Sequence, residues 1–165
     1  MHQRKHRMGS METEELVKRA KLRAMHFLEV MDRTEEQLRT KLKRDSYPDD
    51  IIEIAMEYVK SFGYINDEKY AKRFVENKMH SKSKMEIKMA LLQKGVSQEI
   101  VKDALEVCYE EDSESAAIQR ILDKKHFSKD AATDLEKKKM YGYLIRKGFH
   151  YEDIRQVIQV SHQNA

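Results

Sequence analysis

Residues 91–105, LLQKGVSQEIVKDAL, decide the fold class, because they contain the end of one helix and the start of the next. Gly95 follows an apolar, helix-spaced stretch and is the residue type that ends a helix in a left-handed turn. Ser97 is a typical N-cap, and Val101 and Leu105 follow at helical spacing. The stretch therefore predicts two amphipathic helices joined by a short glycine turn.

The same pattern recurs at residues 144–158, LIRKGFHYEDIRQVI. A shift of 53 positions places Gly95 on Gly148, and a shift of 49 positions places Thr34 on Ser83. The matching positions are helix caps and core residues, as expected when one helical unit of about 50 residues recurs. Chance matching between amphipathic helices is the alternative explanation.

Three capping boxes mark further helix starts, at residues 34–37, 83–86 and 133–136. In each box a Ser or Thr hydroxyl can accept from the backbone N–H three residues on, and a Glu or Gln can reach back. With the glycine stops, these signals predict an all-α chain of about nine helices. We expect tandem three-helix repeats in an elongated, curved array.

The predicted division of the chain starts with residues 1–10, a basic disordered arm or a remnant of cloning. An N-terminal helix at 11–33 and three-helix repeats at 34–80, 83–125 and 133–160 follow, the third lacking its last helix. Units this small bury little core alone, so neighbours must stack or touch. A tandem array of this kind suits a binding protein better than an enzyme with a pocket.

Composition agrees with helices and excludes several classes of protein. Of 165 residues, 37% are charged and 40% hydrophobic, with only one Pro and five Gly, which disfavours turn-rich β folds. The single cysteine, Cys108, cannot form an internal disulfide, so a reducing cytoplasm is the simplest location. No apolar run approaches the ~20 residues that span a bilayer. The basic N-terminus lacks the apolar stretch of a secretory signal peptide.

Catalytic patterns are missing from the sequence. It contains no glycine-rich phosphate loop and no paired-histidine zinc motif, and its seven histidines are scattered. Cys108 lies on an apolar stripe, which favours a structural thiol over a nucleophile. We therefore predict no catalytic, cofactor-binding or metal-binding residues and no cofactor, and an enzyme is the least favoured class.

Charge is arranged in opposed blocks, although the net charge is only +3. Residues 69–94 contain eight basic and two acidic side chains, a local charge of +6, and residues 99–114 contain seven acidic and one basic, a local charge of −6. An acidic helix face would repel nucleic acid wherever it faced the phosphates. A partner protein that is itself bound to nucleic acid fits both signs better than bare DNA.

The basic block is the best candidate for a binding surface. Its lysines alternate with apolar rows, which is expected if their stems cover a core, if they form a mixed cationic and apolar contact face, or if they contact phosphates. Tyrosine is enriched at protein interfaces, and Tyr70 and Tyr143 are predicted to be the exposed tyrosines. The predicted partner-binding residues are Lys69, Tyr70, Lys72, Arg73, Lys82, Lys84, Lys88 and Tyr143.

Several of these segments together resemble one family. The stretches RTEEQLRTKL at 33–42, GYIND at 63–67 and LLQKGV at 91–96 are similar, in order and spacing, to motifs of the RecX family. The similarity runs from about residue 24 to 160. The chain departs from the family pattern at Asn66, which replaces an aspartate, at Ser83 and Glu86, which replace a glycine and a basic residue, and at Ala90, which replaces a glutamate.

The resemblance implies a cytoplasmic, bacterial, non-catalytic regulator of the RecA recombinase. Such proteins bind along the groove of the RecA filament on single-stranded DNA and mostly inhibit it. They lower its ATP hydrolysis, its strand exchange and its co-protease activity in the SOS response, and so act in homologous recombination and DNA repair. A monomer, with at most weak binding to single- or double-stranded DNA and no membrane association, is expected.

Two other functions remain open from the residues themselves. The glycine turn between the helices at 91–105 is similar to a helix-turn-helix, so the chain could be a DNA-binding regulator that uses its basic block. It could also be a scaffold for an unrelated protein partner. RecA-independent, salt-sensitive binding to bare DNA would favour the first, and capture of a partner other than RecA the second.

Overall fold

The structure, a computed structural model, describes residues 2–110 and 113–158, with side chains from residue 9 onward. Over these ranges the chain forms α-helices and no β-strand, which confirms the all-α prediction. Glu111 and Asp112 of the predicted acidic block, and residues 159–160 of the predicted third repeat, lie outside the described residues. The helices are α1 (His2–Val30), α2 (Glu35–Arg44), α3 (Asp49–Ser61), α4 (Asp67–Lys78), α5 (Lys84–Gln93), α6 (Gln98–Cys108), α7 (Ser113–Lys124), α8 (Asp134–Arg146) and α9 (Tyr151–Ile158).

Helix boundaries follow the local capping signals. At the start of α2, the Thr34 hydroxyl accepts from the Gln37 N–H, and the Gln37 side chain accepts from the Thr34 N–H. The same reciprocal pair forms at Ser83 before α5 and at Thr133 before α8. All three predicted capping boxes are therefore confirmed. Gly63, Gly95 and Gly148, which follow α3, α5 and α8, have φ of +68°, +83° and +93°.

Two predicted features differ from the structure. Helix α1 begins at His2, so the segment predicted as an arm at residues 1–10 lies within a helix from residue 2 onward. The apolar spacing of the third helix also predicts that Phe62 is buried, but Phe62 is 58% exposed. The reason is that α3 ends at Ser61, so Phe62 is the C-cap and no longer follows the helical phase of the core positions.

The chain divides into two compact units, and the division falls within α4. The first unit comprises the residues up to Tyr70 together with Lys94–Val96, and in it α1 packs against α3 and α2. Its core consists of Ala20, Ala24, Leu38, Leu42, Ile51, Ile52, Ala55, Met56, Val59 and Ile65.

The second unit comprises Ala71–Gln93 together with the chain from Ser97 onward. In it α5 packs against α6, and α9 packs against both α7 and α8. One core cluster of this unit consists of Ala117, Ile118, Ile121, Leu122, Leu144, Phe149, Ile154, Val157 and Ile158.

A set of long-range contacts covers the start of α2 in the first unit. The buried Thr34 hydroxyl donates to the carbonyl oxygen of Lys94, which follows α5, over 2.5 Å. The next residue, Glu35, donates its backbone N–H to the carboxylate of Asp67, the first residue of α4, over 2.9 Å. Two donors at the helix start, which no intrahelical bond can satisfy, thus find partners far along the sequence.

The start of α5 repeats this set in the second unit. The buried Ser83 hydroxyl donates to the carbonyl oxygen of Lys147, which follows α8, over 2.5 Å. Lys84 donates its backbone N–H to the carboxylate of Glu114, near the start of α7, over 2.6 Å. We call each set a helix-start junction. In it the N-cap hydroxyl donates to the carbonyl oxygen of the residue before a glycine, and the next backbone N–H donates to a carboxylate.

Close approach at each junction explains the glycine. A Cβ on Gly95 would lie 2.4 Å from the Glu36 Cβ, and a Cβ on Gly148 would lie 2.9 Å from the Met85 Cβ. Glu36 and Met85 are the second residues of α2 and α5, so the two junctions agree in detail. The internal repeat therefore extends from caps and core positions to the tertiary contacts.

Candidate interaction surfaces

The predicted cationic side chains are all exposed. Lys69 lies on the part of α4 in the first compact unit, and the others lie in the second. On α4, the Lys72 ammonium is 4.0 Å from the Glu76 carboxylate, an exposed pair one helical turn apart that contributes little stability. The six cationic side chains that reach solvent are Lys69, Lys72, Arg73, Lys82, Lys84 and Lys88.

Lys84 combines an apolar contact with an exposed charge. Its Nζ lies 5.4 Å from the centroid of the Tyr109 ring, and its backbone N–H is held by Glu114. Burial raises the pKa of Glu114, and the hydrogen bond from Lys84 acts in the opposite direction. The exposed Lys84 ammonium therefore lies beside the Tyr109 ring in a cation–π contact.

The two tyrosines predicted to be exposed are half-buried instead. Burial is the main reason that the pKa of Tyr70 is raised. Tyr143 packs against the core cluster of the second unit, and its ring is covered by Lys125 and Lys147, whose Nζ atoms lie 4.3 and 5.6 Å from the ring centroid. The prediction of exposure was wrong for both tyrosines. For Tyr143 the reason is that helix position alone does not show which lysines cover its ring.

An exposed aromatic surface in the first unit was missed by the sequence reasoning. Phe62 and Tyr64 flank Gly63, their rings stack with centroids 5.6 Å apart, and both are more than half exposed. Tyr58 meets Phe62 edge-on at 5.0 Å, and the Lys21 Nζ lies 4.7 Å from the Tyr58 ring centroid. The sequence feature that could have predicted this surface is the pair of aromatic residues on either side of a helix-ending glycine. Neither residue continues the helix that places the core side chains of α3.

A cleft beside α8 in the second unit was also missed. Its volume is about 510 Å³, and its walls are the turn after α7 and one face of α8. The run of three lysines at residues 137–139 was the available signal, because it makes α8 a second basic segment. The lining residues are Lys125, His126, Phe127, Ser128, Ala131, Ala132, Glu136, Lys139, Met140 and Tyr143.

Within residues 2–110 and 113–158, no group of three or more His, Cys, Asp or Glu side chains is placed to hold a metal ion. The half-buried Cys108 thiol lies 3.9 Å from the Lys72 carbonyl oxygen, and burial raises its pKa. A raised pKa keeps a thiol protonated and weakly nucleophilic. None of the helices in these ranges is both long enough and apolar enough to cross a bilayer.

Tyr109 is expected to limit stability, because its buried hydroxyl has no hydrogen-bond partner among the described residues. Tyr109→Phe should raise the free energy of unfolding by about 1 kcal/mol at neutral pH, since the ring remains and an unsatisfied polar atom is removed. Chemical denaturation measures this, with Tyr64→Phe as the control, because the Tyr64 ring is exposed. A loss of stability in Tyr109→Phe would contradict the prediction.

Alkaline pH provides a second readout for Tyr109. Burial strongly raises the pKa of its phenol, so the folded state favours the neutral form. This contribution to stability is complete below the unfolded pKa of about 10 and is lost as pH rises above it. The wild-type chain should therefore lose stability above pH 10 more steeply than Tyr109→Phe.

Comparison with known proteins gives matches to three family models, in chain order. Residues 20–58 match the first three-helix domain of RecX, residues 66–105 the second and residues 112–158 the third. The "Regulatory protein RecX" of Clostridium beijerinckii is 35% identical over 143 residues, which are 86% of this chain and 67% of that protein. The protein of that name from Caldanaerobacter subterraneus is 37% identical over 87% of this chain and 71% of its own.

Solved structures show the same fold. A crystal structure of regulatory protein RecX superposes with a TM-score of 0.79 at 21% identity, over 93% of this chain and 76% of its own. RecX from Lactobacillus salivarius superposes with a TM-score of 0.73 at 22% identity, over 88% of this chain and 96% of its own. With three family models matched in order, and relatives above 30% identity over most of its length, the chain belongs to the RecX family of regulatory proteins.

Proposed function

We propose that this protein regulates the RecA recombinase by binding the RecA filament on single-stranded DNA. The match of all three RecX domains in order is the observation that carries this proposal. Acting in the bacterial cytoplasm, it would lower ATP hydrolysis, strand exchange and SOS co-protease activity, and so restrain homologous recombination and DNA repair. It needs no catalytic residues, because its effect comes from occupying RecA.

The exposed charges support a partner that presents both signs. The cationic heads on α4 and α5 can face acidic side chains or phosphates, while Glu99, Asp103 and Glu106 on α6 are exposed and can face basic side chains. Complementary charge raises the association rate and sets the orientation of a complex. A filament of protein on DNA offers both kinds of group, whereas bare DNA offers only phosphates.

A titration of RecA-dependent ATP hydrolysis and strand exchange tests the proposal. We expect both rates to fall as the protein is added to RecA filaments assembled on single-stranded DNA. Single-stranded DNA binding by RecA, followed separately, shows whether filaments are still present. If equimolar protein changes neither rate, the proposed function is wrong.

The basic edge of α4 is expected to contribute to RecA binding. Lys69→Glu/Lys72→Glu/Arg73→Glu should raise the concentration needed for half-inhibition by at least about tenfold, a loss of roughly 1.4 kcal/mol of binding free energy. The fold should remain, because exposed charges contribute little to stability. Circular dichroism and an unfolding curve check the fold, and the ATPase titration gives the binding effect.

The matched control reverses three exposed charges elsewhere: Lys18→Glu/Arg19→Glu/Lys102→Glu. It changes the net charge equally and also breaks i,i+4 pairs, those of Arg19 with Glu15 and of Lys102 with Glu106. We expect it to inhibit RecA nearly as well as the wild type. Equal inhibition by both triple variants would place the interface away from this edge of α4.

Direct DNA binding is a second candidate function. It is favoured by Lys84, whose cationic head beside the Tyr109 ring is the combination that proteins use to hold single strands. This function predicts tight binding to bare single-stranded DNA without RecA, with affinity that falls steeply as salt is raised. Fluorescence anisotropy with a labelled oligonucleotide at several salt concentrations distinguishes it from RecA regulation.

A further inference from the structure

The start of α8 has the same chemistry as the starts of α2 and α5, but it is uncovered. All three carry a Ser or Thr N-cap in a complete capping box. Thr34 and Ser83 are fully buried under their junctions, whereas Thr133 is exposed. Leu135, which occupies the position of Glu36 and Met85, is 62% exposed.

The donors that the other junctions use are unoccupied at α8. Among the described residues, none accepts a hydrogen bond from the Thr133 hydroxyl or from the backbone N–H of Asp134, the first residue of α8. The corresponding donors of α2 and α5 are bound to a carbonyl before a glycine and to a carboxylate. The starts of α2 and α5 therefore show which groups the start of α8 would bind: a carbonyl oxygen before a glycine, and a carboxylate.

A cleft lies next to the start of α8. The cleft of about 510 Å³ is bordered by Ala132 and Glu136, which flank the N-cap region. Glu136 occupies the position of Glu86, whose carboxylate lies 3.6 Å from the Nζ of Lys147 at the junction on α5. The Glu136 carboxylate is thus placed to pair with the basic residue of a docking partner, as Glu86 pairs with Lys147.

We propose that the start of α8 is an open docking surface for a further three-helix unit, one outside residues 2–158. The docking helix of that unit ends in a basic residue followed by glycine, as α5 and α8 do. Thr133 donates to the carbonyl of that basic residue, and the Asp134 N–H donates to a carboxylate at the start of the unit's first helix. The glycine is required because it approaches Leu135, as Gly95 approaches Glu36.

A second copy of this chain does not fit as the occupant. Its turn after α2 has the same hydrogen bonds, Tyr47 N–H to the Leu42 carbonyl, as the turn after α8, Phe149 N–H to the Leu144 carbonyl. However, the residue at the glycine position is Ser46, with φ +64°, so this turn carries a Cβ. Cβ atoms at the glycines of the other two junctions would lie within 3 Å of the facing side chain, so Ser46 opposes head-to-tail assembly.

The test uses the whole chain, extended after Ser161 by a second copy of residues 109–158. That join follows the internal repeat, because the shift of 53 positions places Cys108 on Ser161. Hydrogen exchange of the Asp134 amide, followed by NMR, is the readout. We expect exchange at least tenfold slower in the extended chain than in the wild type. The matched control is the same extended chain with the added copy's Gly148→Val, and we expect fast exchange to return.

Three outcomes would overturn the proposal. Unchanged Asp134 exchange in the extended chain would mean that the surface does not accept the unit. Equal protection in both extended chains would mean that the glycine turn is not what docks. Protection in the unextended chain that grows with its concentration would make a second copy the occupant. RecA is absent from this experiment, so its result is independent of the proposed function.

Discussion

Gly95→Ala is expected to lower the free energy of unfolding by about 3 to 4 kcal/mol. A left-handed backbone costs a non-glycine residue about 1–2 kcal/mol, and Gly95 has φ +83°. The added Cβ would also lie 2.4 Å from the Glu36 Cβ. That atom is fixed to the backbone of α2, so the overlap must be relieved by moving helices, at a further cost of about 1–3 kcal/mol.

Gly63→Ala is the matched control for this prediction. Gly63 has φ +68°, but a Cβ placed on it has nothing within 4 Å. The control should therefore lose only the backbone part, about 1 kcal/mol. Urea denaturation followed by circular dichroism measures both variants. Equal losses would show that the close approach at Gly95 is unimportant and that only its backbone conformation matters.

Thr34→Val is expected to cost about 3 kcal/mol with little change in side-chain shape. Its hydroxyl accepts from the Gln37 N–H and donates to the Lys94 carbonyl, and the residue is fully buried. Loss of an N-cap alone costs about 1 kcal/mol. The Lys94 carbonyl also loses its partner at a buried site, which adds about 1–3 kcal/mol.

Thr133→Val is the control for Thr34→Val, because the two residues have the same capping box but differ in burial. Thr133 is exposed, and water can replace its hydroxyl. We expect it to lose no more than the N-cap contribution, about 1 kcal/mol. The difference between the two variants in urea denaturation measures the contribution of the helix-start junction. If Thr133→Val were as destabilising as Thr34→Val, the buried bond to Lys94 would contribute nothing.

The period of the repeat was readable from the sequence, but a period does not identify the first helix of a unit. The predicted repeats begin at residues 34, 83 and 133, whereas the family models begin at residue 20, within α1, and at residues 66 and 112, directly before α4 and α7. When three helices recur in order, a repeat can be taken to start at any one of the three, because the same caps and core positions recur whichever start is chosen. The boundaries 34–80, 83–125 and 133–160 stay a prediction.

The candidate surfaces were predictable only in part. Exposure of the six cations follows from charge, because a lysine or arginine head rarely leaves water. Tyrosine exposure does not follow in this way, because Tyr143 lies under Lys125, which is 18 positions away in the sequence. The aromatic surface around Gly63 was missed because Phe62 was assigned to α3, which ends one residue earlier.

The sequence by itself determined the helix starts that carry a capping box and the helix ends that are followed by a glycine, because both signals act through atoms within four residues of each other. It also determined that the unit recurs. Only the tertiary structure decided what each helix start is bound to. Thr34 and Lys94 lie 60 positions apart, and Ser83 and Lys147 lie 64 apart. Thr133 has the same local sequence pattern but no such partner among the described residues, because that bond depends on packing and not on the cap.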